Sequence, residues 1–278
     1  MAGRVVRAKS VYVYEEPRSA HLDLSDVASY VRDTTGVDVV IRPSLVGHAL
    51  NGPPETRSRI VRALAEQFVG LRAMPNGGRK TNAVEGEIEY ETRRLADESR
   101  DLFGFLYDGY RMTRLFADLL ERAGEDLRDP HIVLTNQLVG TWDDGDRRYH
   151  ARTGVFGFPA IISTTGLVEA PGKPREYYFL KSQVDHMSLG SGLVEAFLEE
   201  RRDQILAHGD SRSTDVIKGI VLQALSYHFR GDAFCADRNC RLFNAHWQSD
   251  LLEAQLGGAY DLCTDHRNYF AKMGGAAA

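Results

Sequence analysis

The segment STDVIKGIVLQALSYHFRG, residues 213–231, decides the fold of this chain. Its apolar residues recur with helical spacing, and its polar start and glycine stop are typical of helix ends. The spacing predicts a helix over Ser213–Arg230. Its buried face consists of Ile217, Ile220, Val221, Ala224, Leu225 and His228. We therefore expect this helix to be the scaffold of the core.

His228 stands at the end of this apolar face, where a buried imidazole needs a partner. The partner is either a hydrogen-bonding group or a metal ion. The spacing alone favours a hydrogen-bonded core histidine over a metal ligand, and both interpretations stay open.

The chain ahead of this helix alternates between strand and helix patterns. The opening predicts a βαβ unit with a parallel strand pair, formed by Val5–Tyr14, Leu24–Arg32 and Val37–Ile41. Further helices are predicted over Glu55–Arg72, Tyr107–Ala123 and Leu189–His208. Further strands are predicted over His131–Val139, Tyr149–Phe156, Ala160–Ser163 and Tyr177–Leu180. Together these strands should complete one mixed sheet.

No repeat or linker divides the sequence, so one α/β domain is expected. Its core is residues 1–230, a Cys/His segment at 231–270 belongs to the same domain, and residues 271–278 form a flexible tail. The length of 278 residues is enough to bury a core without metal or disulfide support.

Composition narrows the class of protein. A net charge of -5 gives no electrostatic reason to expect nucleic-acid binding. No apolar run approaches the roughly 20 residues that a membrane helix needs. The N-terminus shows no apolar signal region, so a cytoplasmic location is expected.

All three cysteines follow the long helix and form two ligand pairs with a histidine. The pairs are Cys235-x4-Cys240 and Cys263-x2-His266, separated by a helix-like segment, Ala245–Leu256. Four such ligands suit tetrahedral zinc and leave no open position, so the pattern predicts a structural zinc site. The alternative is that Cys235 and Cys240 are buried thiols and that His266 caps or hydrogen-bonds at the surface.

The string from His228 to Leu242, together with the Cys263 pair, resembles the archaemetzincin branch of the metzincin metallopeptidases. That family carries HExxHxxGxxHC, then x4-C-x-M, then CxxC. Its second histidine falls on His228, its glycine on Gly231, and its first two cysteines on Cys235 and Cys240. Cys263 takes the first position of the last pair, and His266 stands in place of the second, at a longer spacing. The resemblance implies a metzincin-like fold, a mixed twisted sheet with flanking helices and a C-terminal zinc-binding tail.

The whole chain is also similar to uncharacterised metallopeptidase-like proteins related to archaemetzincins, and this second resemblance is the closer one. It is carried by the stretches Gly140–His150, Ile162–Pro171 and Phe243–Trp247. It implies a zinc metallopeptidase-like protein with a peptide or protein substrate.

The catalytic part of the motif is degenerate. Ala224 occupies the position of the first zinc-binding histidine, Leu225 that of the general-base glutamate, and Phe234 that of the third histidine. Leu242 replaces the methionine. Because one ligand and no base remain, proteolysis by the family's route is not expected.

Two functions stay open. The first is a metal-dependent hydrolase with an atypical site around His228, for which His150, Glu169 and His186 are the candidate partners. Each of these residues also has a purely structural interpretation. In that interpretation, for example, His150 pairs with charges at the surface and His186 begins a helix. The second function is a non-catalytic, zinc-stabilised protein that holds a peptide or protein in the groove of a former peptidase.

Overall fold

The computed structural model describes residues 9–50, 54–97, 105–187 and 192–274. The strands are β1 Val11–Tyr14, β2 Val39–Arg42, β3 Tyr107–Asp108, β4 His131–Thr135, β5 Val139–Asp143, β6 Arg148–Arg152, β7 Gly154–Val155 and β8 Ala160–Ser163. The helices are α1 Leu24–Thr35, α2 Leu45–Ala49, α3 Pro54–Leu71, α4 Glu85–Ala96, α5 Gly109–Arg122, α6 Thr164–Glu169, α7 Arg175–Met187, α8 Gly192–Glu200, α9 Ser213–Arg230, α10 Gln248–Leu252 and α11 Thr264–Gly274, with a π-helical turn over Glu253–Gly257. The chain is therefore α/β, as expected.

The main sheet has five strands in the order β2-β1-β4-β8-β7. β1 pairs in parallel with both β2 and β4, and β4 pairs in parallel with β8. β7 is antiparallel to β8 and forms one edge. The predicted βαβ opening is confirmed by β1, α1 and β2, although residues 5–8 of its first strand lie outside the described residues.

The expectation of one mixed sheet was wrong, because the described strands form two sheets. The smaller sheet has the order β3-β5-β6. β5 and β6 pair antiparallel around an aspartate-rich turn, where the Asp143 carboxylate accepts from the N–H groups of Gly145 and Asp146. This hairpin pairs with β3 through β5. The following strand, β7, pairs with β8 at the edge of the main sheet.

Alternate residues of the main sheet face two separate cores. Val13 and Leu134 point to one face, where they join α1, α9 and the C-terminal segment. Tyr14 and Val133 point to the opposite face, against α3 and α5. This alternation follows from the two-residue period of a strand.

The prediction for Ser213–Arg230 is confirmed by α9. Its residues from Val216 to Ser226 are all buried, and it ends at Gly231, whose φ of 75° gives the left-handed cap that glycine favours. The polar start does not act as a side-chain cap, because the capping position falls on Arg212. His228 is half-buried, so it lies at the margin of the apolar face and not within it.

Four further element predictions were wrong. The predicted strand His131–Val139 is divided between β4 and the start of β5, and Tyr149–Phe156 is divided between β6 and β7, in each case across the two sheets. Tyr177–Leu180 lies inside α7, where Tyr177 is buried and Tyr178 and Phe179 are exposed, so strand-favouring aromatic residues are overridden by helical packing. The expected helix Leu189–His208 is shorter, because α8 ends at Glu200; residues 189–191 lie outside the described residues.

The C-terminal segment ends in a helix that continues past residue 270 to Gly274. Residues 275–278 of the expected flexible tail lie outside the described residues.

Within the described residues, the search for a helix of membrane-spanning length and apolarity found none.

Candidate metal centre

The first ligand pair is placed by the turn that follows α9. Gly231 reverses the chain direction, and the Cys235 N–H donates to the carbonyl oxygen of Leu242 at 2.8 Å. Between the two cysteines the chain makes a tight loop, in which the Cys240 N–H donates to the Asp237 carbonyl oxygen at 3.1 Å. The Asp237 N–H in turn donates to the Cys235 sulfur at 3.4 Å. These bonds hold both thiols on the same side of the loop.

The second pair lies at the start of α11. Cys263 immediately precedes the helix, and its carbonyl oxygen accepts from the Arg267 N–H at 2.9 Å. His266 lies in the first turn, so three residues of separation bring its ring back towards the Cys263 sulfur. Leu262 and Phe270 are buried in the core on either side of this pair and fix the helix there.

The four side chains converge on one point. The ligand atoms of Cys235, Cys240, Cys263 and His266 all lie within 4.8 Å of one another. The Cys235 and Cys263 sulfurs are 3.9 Å apart, and the Cys240 sulfur is 3.8 Å from His266 Nδ1. The Cys263 sulfur is 3.0 Å from the same nitrogen. A tetrahedral zinc ion with ordinary bond lengths requires edges of about 3.8 Å between sulfurs and about 3.5 Å between sulfur and nitrogen. The sulfur–sulfur distance matches its edge, whereas one sulfur–nitrogen distance is slightly longer than its edge and the other is shorter.

Burial strongly affects the ionisation of these ligands. It raises the pKa of the Cys240 thiol to about 12 and also raises the pKa of the Cys235 thiol. Burial, with the nearby positive charge of Arg230, lowers the pKa of His266. The protein alone therefore favours neutral ligands, and a divalent cation is what would favour the thiolates. A donor set of three sulfurs and one imidazole, with no oxygen ligand, fits such a soft or borderline cation.

The alternative of a surface histidine at the end of the chain is wrong. His266 is buried, and its Nδ1 faces the sulfurs of Cys240 and Cys263. Cys240 is also fully buried, whereas Cys235 and Cys263 are partly exposed.

The three positions that the resemblance predicts to be replaced catalytic residues lie on α9 and on the turn that follows it. Ala224 and Leu225 are buried in the core, and Phe234 is exposed. The His228 Nε2–H donates to the carbonyl oxygen of Arg128 at 3.0 Å, while its ring packs against Phe158. Burial lowers the pKa of His228. The imidazole therefore has a hydrogen-bonding partner, and His228 does not belong to a converging set of three or more metal-capable side chains among the described residues.

The other candidate residues have separate partners. The His150 Nε2 atom is 2.9 Å from a carboxylate oxygen of Asp146 on the β5–β6 turn. Glu169, at the end of α6, accepts a hydrogen bond from His208 at 3.1 Å, and this bond lowers its pKa. His186 belongs to α7, but its side chain lies outside the described part of the structure. Among the described side chains, the Cys3His group is the only set of three or more metal-capable residues that converges.

A groove that sequence reasoning missed lies beside α9. Residues 151–154 form one wall, residues 243–246 form the other, and Ile220 and Gln223 form part of the floor. Its volume is about 100 Å³, and Phe234 stands at its margin. Gly154 lies in an otherwise strand-like stretch of sequence. A glycine at such a position is the one sequence signal that another group approaches the backbone closely beside the groove.

Fold and site together define an α/β protein with two sheets and a Cys3His cluster capable of binding a metal ion. Residues 12–269 match the model of a family of unknown function, DUF7001, and the chain belongs to that family. No curated protein and no solved structure matches the chain.

Proposed function

We propose that this protein is a metzincin-like pseudopeptidase, in which zinc has a structural role and the groove beside α9 binds a peptide segment without cleaving it. The observation that carries the proposal is the contrast between the retained and the replaced parts of the motif. The helix, the Gly231 turn and the cysteine pair are present, while Ala224, Leu225 and Phe234 stand at the two ligand positions and the base position. None of these three side chains binds zinc or accepts a proton from water.

The fold supports this relationship. The resemblance implies a mixed sheet with flanking helices and a C-terminal Cys/His segment, and the main sheet, its helices and the Cys3His cluster are compatible with it, although a second sheet is present.

The chemistry of the tail supports zinc as the metal. Sulfur and imidazole ligands favour zinc over magnesium or calcium, which prefer oxygen. Four protein ligands fill a tetrahedral shell, so no position remains for water or substrate. Bound zinc would therefore connect the loop at Cys235 and Cys240 to the start of α11 and would supply no catalysis.

The groove supports a peptide ligand. β7 is the last strand of the main sheet, and only its β8 side is paired among the described strands. An extended peptide adds to such an edge through backbone hydrogen bonds, and side-chain pockets provide selectivity. Phe234, at 41% exposed, offers an aromatic contact at the margin of the groove.

A cleavage assay separates this proposal from an active hydrolase. Zinc-loaded protein is incubated with a mixed peptide library, and products are identified by mass spectrometry beside His228→Ala as control. We expect no cleavage. Robust cleavage that is lost in His228→Ala would overturn the pseudopeptidase proposal and support the atypical site.

A binding experiment tests the groove itself. A displayed peptide library is selected on the wild-type protein, and the enriched peptide is titrated by fluorescence polarisation against Phe234→Asp and Phe179→Asp. Phe179 is a matched control, because it is an exposed phenylalanine on α7 that does not line the groove. We expect Phe234→Asp alone to weaken binding, by about tenfold or more. Equal loss in both variants, or no enriched peptide, would contradict binding in this groove.

A further inference from the structure

A second crevice lies at the carboxyl ends of the parallel strands of the main sheet. From β1 the chain moves to β2 on one side through α1, and later reaches β4 on the other side through helices on the opposite face. The boundary between β1 and β4 is therefore a topological switch point, where open α/β sheets form ligand crevices. A cavity of about 40 Å³ lies there, lined by Glu16 after β1, Ser44 after β2 and Thr135 at the end of β4.

The wall of this crevice contains a buried arginine with an unused donor. Arg94, on α4, is 5% exposed, and its Nε donates to Glu91 at 2.7 Å. Its Nη2 is buried and has no hydrogen-bond partner among the described residues. The Phe68 ring covers one face of the guanidinium, with its centroid 4.6 Å from the central carbon. A buried guanidinium N–H without an acceptor is costly, so its presence indicates an acceptor that the described residues do not supply.

The carboxylate beside Arg94 is already shared. Glu91 is fully buried and accepts from Arg72 at 2.8 Å and from the Tyr107 hydroxyl at 2.7 Å, in addition to Arg94. Two guanidinium groups therefore depend on this one buried carboxylate. Arg72 also contacts Glu87, whereas Arg94 has no second carboxylate partner among the described residues.

The other charged groups of the crevice are bonded to neighbouring parts of the chain. Glu16 accepts from the Arg18 side chain at 3.0 Å and from the Asn136 N–H at 3.0 Å, so both of its oxygens are used. Arg18 donates to the carbonyl oxygen of Arg94 at 2.8 Å and so fixes the end of α4. The remaining lining includes Phe68, Leu95 and Phe116, an apolar surround that strengthens the attraction between a cation and an anion.

We propose that this switch-point crevice binds a small carboxylate, either a free carboxylic acid anion or the carboxylate end of a larger metabolite, through the outer edge of the Arg94 guanidinium. The volume corresponds to about three water molecules, which suits a group of three or four heavy atoms. Arginine pairs with planar carboxylates through parallel N–H bonds, and with Nε taken by Glu91 the pair would form at the Nη atoms.

The test uses the full zinc-loaded chain and measures its thermal midpoint with increasing formate, acetate or phosphate, against chloride at the same ionic strength. Formate and acetate should raise the midpoint in a saturable way, because a ligand that binds the folded state stabilises it. Arg94→Lys keeps the charge next to Glu91 and removes the Nη atoms, so it should weaken carboxylate binding by about tenfold or more. Arg93→Lys is the matched control, since Arg93 is its exposed neighbour on α4, and it should bind like wild type.

A second measurement does not depend on any variant. Carbon-13-labelled acetate titrated with the wild-type protein should show saturable line broadening that unlabelled formate reverses. Absence of this broadening, together with no stabilisation beyond chloride, would mean that only water fills the crevice and would overturn the proposal. Stabilisation by phosphate but not by carboxylates would contradict the proposal that the ligand is a carboxylate. Equal binding of acetate to wild type and to Arg94→Lys would contradict the proposal that Arg94 binds it.

Discussion

Leu225 lies in the second half of α9, and its side chain is fully buried. A residue that has become part of the hydrophobic core contributes to packing and is unavailable to activate water. The neighbouring Ala224 is buried in the same cluster. This part of α9 therefore contributes to the packing of the core.

Leu225→Ala tests this packing role. Removal of a buried leucine side chain should lower the free energy of unfolding by about 2–5 kcal/mol. Leu256→Ala is the control, because Leu256 is largely exposed and its loss should have little effect. Urea melts of both variants measure the difference, and a neutral Leu225→Ala would mean that α9 is turned away from the core.

His131 makes the stability of the protein depend on pH. It is 3% exposed, contacts the Tyr14 hydroxyl through Nδ1 at 3.1 Å, and stacks on Tyr12, while Arg42 and Glu125 lie nearby. Burial lowers its pKa below the ordinary value of 6.5. As pH falls through 6.5 the unfolded chain takes up a proton that the folded chain does not, so stability should decrease down to the lowered pKa.

Histidine titration by NMR checks this expectation. The His131 ring signal should titrate with a midpoint below the ordinary value of 6.5. His131→Asn should also reduce the pH dependence of stability in the range below 6.5. A His131 midpoint at or above 6.5 would contradict the burial effect.

At the scale of elements, α3 and α4 are joined by a buried charged cluster. Arg72, at the end of α3, and Arg94, on α4, both bond to Glu91. Glu91→Gln leaves two buried guanidinium groups without their carboxylate and should cost about 3–5 kcal/mol of stability. Glu89→Gln, on an exposed position of the same helix, is the control. Similar melts for the two variants would show that the cluster is not needed to hold α4.

The same scale gives a test of the tail. If zinc holds the start of α11, removal of the metal should release that helix while α5, in the other core, stays protected. Hydrogen–deuterium exchange before and after treatment with a strong chelator measures both helices in one sample. Unchanged protection of α11 after the metal has been removed would exclude a structural role for it.

Sequence patterns predicted most of these elements because their signals are local. The spacing of apolar residues located α9, and two short cysteine and histidine pairs located the metal-capable cluster. The patterns failed where a distant contact decides. The existence of a second sheet depends on which strand pairs with β8 at the edge of the main sheet, and no local pattern encodes that choice. The crevice at Arg94 has no local signal at all, since its residues come from separate parts of the chain.

At the scale of the whole molecule, the candidate sites lie in two different regions of the fold. The groove and the metal-capable cluster lie with α9 and the C-terminal segment, whereas the crevice lined by Arg94 opens at the carboxyl ends of β1 and β4. Each site can be tested by its own variants, because the two sites are lined by different residues.

The count of zinc ions per chain tests the central claim most directly. Protein purified under reducing conditions is dialysed against a weak chelator, and the retained zinc is measured by elemental analysis. The account predicts about one zinc per chain, held by Cys235, Cys240, Cys263 and His266 and lost when Cys240 is replaced by alanine. Less than about half an equivalent would contradict the structural site, and two ions, one of them exchangeable, would contradict the pseudopeptidase account.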